Sequence, residues 1–190
     1  MKLIKLSLIF LFLFSGAAHA KSAAEMTKDY FGVLKQKNYS ASAAFFDPVA
    51  LGEFRQMMDF IYEIPAEKQL HFLDTFFGAG ATKESVSKLS DKEFFASFLG
   101  AAMAQAEAVG GINFGAMEVL GEVKEGNDIA HVVTRTKVSV GEVEVEAMEV
   151  VSFKKSGDSW KALMSGKMKG MANQLRAALT QQQNRQPPPP

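Results

Sequence analysis

The sequence predicts an α+β fold: N-terminal helices packed on a curved four-stranded antiparallel meander, with a C-terminal helix after the last strand. Three observations carry this expectation. Apolar residues recur every three or four positions as far as about residue 109, and at alternate positions beyond Asn113. Short connections, each containing Gly, separate four strand-like runs, and connections that short join only antiparallel neighbours. Aromatic mass divides the same way, because eleven of the 13 Phe beyond residue 20 precede residue 100. Helices gathered on one face of an antiparallel sheet satisfy both patterns.

The first helix lies between Ser22 and Asn38, where Ala23, Met26, Tyr30, Phe31, Val33 and Leu34 share one face. Lys28, Asp29, Lys35 and Lys37 fall mostly on the other. A short helix over Ser40 to Phe46 ends at Asp47-Pro48, since Pro disfavours helix in the residue before it. Pro48 then suits the first turn of the next helix. Val49 to Ile64 carries Leu51, Phe54, Met57, Met58, Ile61 and Tyr62 at helical spacing and stops at Pro65. Ala66 to Phe77 repeats the pattern with Leu70, Leu73, Phe76 and Phe77, closed by Gly78-Ala79-Gly80. After a polar stretch at Lys83 to Lys88, Ser90-x-x-Glu93 reads as a capping box, each side chain satisfying an orphan amide. The helix it opens runs to about Val109 with Phe94, Phe95, Phe98, Leu99, Ala102, Met103 and Ala106 on its apolar side, and Gly110-Gly111 ends it.

Met117 to Lys124, Ile129 to Val138, Glu142 to Lys154 and Ser159 to Lys167 are the expected strands. They are joined through Glu125-Gly126-Asn127-Asp128, Ser139-Val140-Gly141 and Ser156-Gly157-Asp158. In Glu142-Val143-Glu144-Val145-Glu146-Ala147 the alternation predicts valines toward the core and carboxylates toward water. Met168 to Gln183 is expected to be a helix with Met171, Leu175, Ala178 and Leu179 on one side. The end, 181–190, is polar, finishes in four prolines and is expected to be an extended, disordered tail.

Residues 1–20 have the form of an export signal: Lys2 and Lys5, an apolar run from Leu6 to Phe14, then small residues at Ala18 and Ala20 that fit cleavage between Ala20 and Lys21. That run is about half the ~20 residues needed to span a bilayer. No Cys follows it, so no lipid attachment is expected. The expected product is a periplasmic or secreted single domain, 21–180, with no integral membrane span. Removing the signal leaves 19 basic against 21 acidic residues, with no basic excess for binding nucleic acid. The absence of Cys also excludes disulfides, a thiolate nucleophile and thiolate metal ligation.

Two stretches resemble a known family. Tyr30-Phe31-x-Val33-Leu34-Lys35-x-x-Asn38-Tyr39-x-x-x-Ala43-x-x-Phe46 is similar to the first helix, polar break and second helix of the nuclear-transport-factor-two-like superfamily, also called ketosteroid-isomerase-like or α+β cone. Met148-x-Val150-Val151-Ser152-Phe153-Lys154-Lys155-x-Gly157-Asp158-x-Trp160-Lys161-Ala162 is similar to its last hairpin. The likeness covers about two-thirds of the mature chain, in motifs that encode packing. The helical segment from Pro48 to Val109 is longer than in compact members, and the C-terminal helix follows the last strand. The resemblance implies a pocket on the concave side of the sheet and dimerisation through its open face. A looser resemblance links Pro65-Ala66-Glu67-Lys68-Gln69-x-x-Phe72-x-x-x-Phe76 and the late Trp160-Lys161-Ala162 to periplasmic phospholipid carriers.

Chemistry is sparse. An isomerase-type cone site needs a carboxylate base and a hydrogen-bond donor, and Asp59 with Tyr62, or His71 with Asp74, have helical spacing. Such pairs arise readily by chance, and a solvated Asp beside a boundary Tyr or His is the more ordinary outcome. His71 and His131 lack neighbours at ligand spacing, and no nucleophile elbow or dinucleotide loop is present, so neither metal nor cofactor is expected. The strand with His131 and Arg135 on one face could meet an anionic head group, although pairing of Arg135 with Glu144 or Glu146 across the hairpin competes. Phe72, Phe76 and Phe98 could wall an apolar cavity, with Tyr62 and Met148 completing the candidate pocket set, and simple core packing competes. The expected function is therefore non-catalytic binding of a small apolar or amphipathic ligand or a protein partner, with homodimerisation. A periplasmic lipid carrier is the alternative, and an isomerase or dehydratase the second.

Overall fold

The computed structural model describes residues 20–108 and 110–181. The expected signal segment and the proline tail lie outside these residues, apart from Ala20 and Gln181. The chain forms helices α1 (Ala23–Lys35), α2 (Tyr39–Ala43), α3 (Pro48–Met57), a 3-10 turn (Asp59–Tyr62), α4 (Ala66–Phe77), α5 (Lys83–Ser87) and α6 (Asp91–Ala108). Strands β1 (Ile112–Glu125), β2 (Ile129–Val140), β3 (Val143–Ser156) and β4 (Ser159–Ala162) follow, then α7 (Gly166–Gln181). The sheet is an antiparallel meander in the order β1-β2-β3-β4, so the α+β class and the meander are as predicted. No helix among the described residues is long and apolar enough to cross a membrane.

Local chemistry sets most boundaries. Ser22 and Glu25 form a capping box at α1, and Ala24 N–H donates across the domain to Glu122 Oε2 at 3.0 Å, tying the helix start to β1. The box predicted at α6 is present, with Glu93 N–H donating to Ser90 Oγ and Ser90 N–H to Glu93 Oε2. The Ser90 hydroxyl also donates to Glu93 Oε2, and this bond together with the Ser90 N–H holds the Glu93 carboxyl below its ordinary pKa. Where a single helix was expected over Val49 to Ile64, the helix ends at Met57. Met58 N–H reaches the carbonyls of Phe54 and Arg55, and the tightened turn that follows brings Phe60 into the core together with Ile61. The polar stretch at Lys83 to Lys88 holds one helical turn, capped by Thr82 and Ser85, that buries Val86.

The strand bounds shift by one or two residues in β2 and β3 and by more in β1 and β4. β1 starts at Ile112 instead of Met117, because a register shift between Phe114 and Met117 interrupts the alternation that would mark its first residues. β4 stops at Ala162 instead of Lys167. Ala162 N–H donates to Phe45 O and Asp47 N–H donates to Ala162 O, so the turn between α2 and α3 occupies the place of further strand pairing.

The largest core group is aromatic and helical: Phe54 lies edge-on to Phe95 at 5.1 Å and Phe98 at 5.3 Å, and Phe46 meets Phe95 at 4.8 Å. Arg55 closes its rim. Its guanidinium donates to the carbonyls of Val86, Ser87 and Leu89 and to Asp91, while lying over the Phe94 ring. The sheet presents Ala130, Val132, Thr134 and Phe153 to the helices, all buried. Val143 and Val145 share that face by register but are 63% and 48% exposed, which corrects the expectation that they face the core. Met148 and Val150 on the opposite face are exposed as well, so alternation in this part of β3 separates two solvated faces.

Candidate functional site

The predicted pocket residues divide into two groups. Phe72, Phe76 and Phe98 form one continuous stack within the helical half, with ring centroids 4.5 and 4.7 Å apart. Tyr62 sits half-buried nearby with Lys83 Nζ 5.1 Å from its ring centre. Its hydroxyl is buried without a hydrogen-bond partner among the described residues, and burial pushes its pKa up. His131, Arg135 and Met148 lie on the outer face of the sheet, opposite in strand parity to the buried Ala130, Val132 and Thr134. They cannot line one cavity with the Phe stack, because the sheet lies between.

The two polar outer residues have structural partners, whereas Met148 is exposed. Arg135 lies 3.6 Å from Glu118 and 3.9 Å from Glu146, so the expected cross-hairpin pairing holds for Glu146, whereas Glu144 pairs with Lys137. His131 contacts Ser152 Oγ through Nδ1 and Glu125 through Nε2. The candidate acids also separate: Asp59 is exposed, and Asp74 accepts the Gly80 N–H at 2.9 Å and so caps the loop after α4. No acid and donor converge on the concave side from these positions.

A groove of roughly 380 Å³ opens instead where the two halves of the molecule meet. Leu34, Tyr39, Met103 and Phe114 give it apolar walls, and Lys35, Lys37, Glu107 and Asn113 give it a polar rim. α1 supplies Leu34 and Lys35, α6 supplies Met103 and Glu107, and the first residues of β1 supply Asn113 and Phe114. Lys37 and Tyr39 come from the α1–α2 corner, whose backbone is unusual. Lys37 has φ of 58°, the left-handed position after a helix that Gly normally fills, and Asn38 then caps α2 by accepting the Ala41 N–H.

This corner carries Lys37 Nζ to 2.7 Å from Glu107, and the hydrogen bond raises the lysine pKa. Lys35 Nζ donates to Gly115 O at 3.1 Å. Tyr39 packs so closely on α6 that a Cβ at Gly100 would lie 2.9 Å from its ring; burial, and then Glu107, raise its pKa. Two cations against one carboxylate give the rim a net positive charge beside an apolar wall. The arrangement can hold an anion and an apolar tail.

None of the groove residues was among the predicted pocket set. Lys35 and Lys37 read as a solvated helix face, and Phe114 lay outside the expected first strand. The one available signal was the non-Gly run Lys35-Gln36-Lys37-Asn38 between two helices, a turn with no residue suited to it except Asn38. A second groove, roughly 370 Å³, lies between α3 and α7 and is lined mainly by Glu53, Gln56, Lys169 and Arg176. Comparison with protein-family models, curated proteins and solved structures finds no match to this chain.

Proposed function

We propose that the chain is an exported, non-catalytic binding module that takes a small amphipathic anion in the groove between α1, α6 and β1, and that it self-associates through its sheet. The observation that supports ligand binding is Lys37, a non-Gly residue kept in a left-handed conformation where its ammonium reaches the groove rim. Such a conformation costs about 1 kcal/mol relative to Gly, a cost consistent with a role for the side chain. The ligand anion displaces Glu107 from Lys37 and its tail lies against Leu34, Met103 and Phe114.

Lys37→Gly separates the side chain from the fold, because Gly suits this backbone. Calorimetric titration of residues 21–190 with decanoate and with decanol tests the reading. Decanoate is expected to bind one per chain and more tightly than decanol, and Lys37→Gly to weaken decanoate at least ~10-fold, the worth of one charge-assisted contact, without lowering the melting temperature. Equal binding of both probes, or none of either, would overturn the assignment.

A further inference from the structure

We propose that two copies of this chain join edge to edge along β3, over Val143 to Val151, in an antiparallel register about a two-fold axis at Ala147, so that their sheets become continuous. The proposal rests on the self-association proposed above and narrows it to one edge and one register. β3 runs to Ser156, but β4 pairs only with Phe153 to Ser156, and Leu163 N–H donates to Ser152 O. From Val143 to Val151 the side of β3 away from β2 has no strand partner among the described residues.

The direction of the free groups follows from two bonds. Ser152 O points to the β4 side, whereas Lys155 N–H donates to Asp128 O on the β2 side. Alternation then aims the N–H and C=O of Glu144, Glu146, Met148 and Val150 at the open edge. The β2–β3 register has no bulge, and the edge holds no Pro, so two usual protections of a free edge are missing. Apolar side chains stand exposed on both faces beside it, Val143 and Val145 on one and Met148 and Val150 on the other.

The pattern of charge selects a second copy as the occupant. About an axis at Ala147, Glu144 faces Val150, Glu146 faces Met148, Glu149 faces Val145, and Val143 faces Val151. An axis at Glu146 sets that carboxylate against itself, and one at Val145 sets Glu144 against Glu146. An axis at Met148 brings in Ser152, whose carbonyl is already taken. Within each copy Arg135 neighbours Met148 and Lys137 neighbours Glu146. Across the junction the outer face therefore reads Arg135, Met148, then Glu146 and Lys137 of the second copy, a row with one carboxylate and a cation at each end.

The chain contains no Cys, so a single introduced thiol reports the axis. Ala147→Cys would form a non-hydrogen-bonded pair with Cα atoms about 4.5 Å apart, within disulfide reach. On oxidation of residues 21–190, Ala147→Cys is expected to give a covalent dimer and Val143→Cys alone none, while Val143→Cys with Val151→Cys restores it. Sedimentation equilibrium of the unmodified chain is expected to give twice the monomer mass. Met148→Pro, which removes an edge N–H without touching the β2 ladder, is expected to return it to the monomer with its fold intact by circular dichroism. A dimer that ignores Met148→Pro and does not cross-link at Ala147 overturns the edge and register while leaving self-association. A monomer at all concentrations with no cross-link overturns both, and leaves the edge to a strand from another protein.

Discussion

Phe54, Phe94, Phe95 and Phe98 are each no more than 3% exposed, while Val143, Val145, Met148 and Val150 on β3 are between 48% and 63% exposed. Both groups follow the periodicity proper to their element. The difference lies in what covers them. In the helical half, α3, α4 and α6 surround the rings from several directions, and Arg55 seals the rim by donating to the carbonyls before α6. Along the far part of β3 both faces stand open to solvent, with Val143 and Val145 on one and Met148 and Val150 on the other. Burial of an apolar residue requires a partner element, and periodicity states only which residues would share it.

The helical side of this comparison carries the largest expected effect. Phe54→Ala removes a ring in contact with three others, and a loss of about 3–5 kcal/mol in unfolding free energy is expected from transfer plus cavity terms. Chemical denaturation checks it, and a loss below about 1 kcal/mol would mean that the aromatic core is not closed as described.

At the junction between the regions, Tyr30 lies edge-on to Phe45 and Phe46, and burial, with a smaller contribution from Glu149, pushes its pKa up to about 12 from 10.0. A raised folded-state pKa leaves stability intact below pH 10 and lost as pH rises through 12, because the unfolded chain gives up the proton first. Up to about 2–3 kcal/mol of alkaline destabilisation is expected, and Tyr30→Phe should abolish it. An unchanged pH profile between pH 10 and 12 in that variant, followed by fluorescence melts, would place the dependence elsewhere.

The smallest effect belongs to the hairpin. Val145→Thr is expected to change monomer stability by less than about 0.5 kcal/mol, since the side chain is already half in water. Measured on the Met148→Pro background, where the edge is blocked, a larger loss would show that the far hairpin is covered within one copy.

Sequence periodicity located α4 at Ala66–Phe77 and the Ser90–Glu93 cap of α6, since both are written in contiguous residues. It missed the break at Met58, because an apolar spacing of three satisfies a 3-10 turn as well as an α-helix. The groove was not legible for a different reason. Its walls come from Leu34, Tyr39, Met103 and Phe114, which are distant in sequence and meet only through the α1–α2 corner and the contact of α2 with α6 at Gly100. His131 and Arg135 were correctly grouped on one sheet face, and strand alternation could not tell whether that face met the helices or solvent; that Met148 shares it follows only from the β2–β3 register.

By itself, then, the sequence determined the α+β order, the antiparallel meander, the α6 capping box and the alternation of faces along the strands, all consequences of short-range backbone geometry and side-chain period. Tertiary structure decided which face and how much of the sheet the helices cover, that β4 ends against the α2–α3 turn, and that Lys37 meets Glu107 beside an apolar wall. Those outcomes depend on the packing of elements far apart in the chain, where the free energy belongs to contacts between surfaces and no local pattern encodes which surfaces will meet.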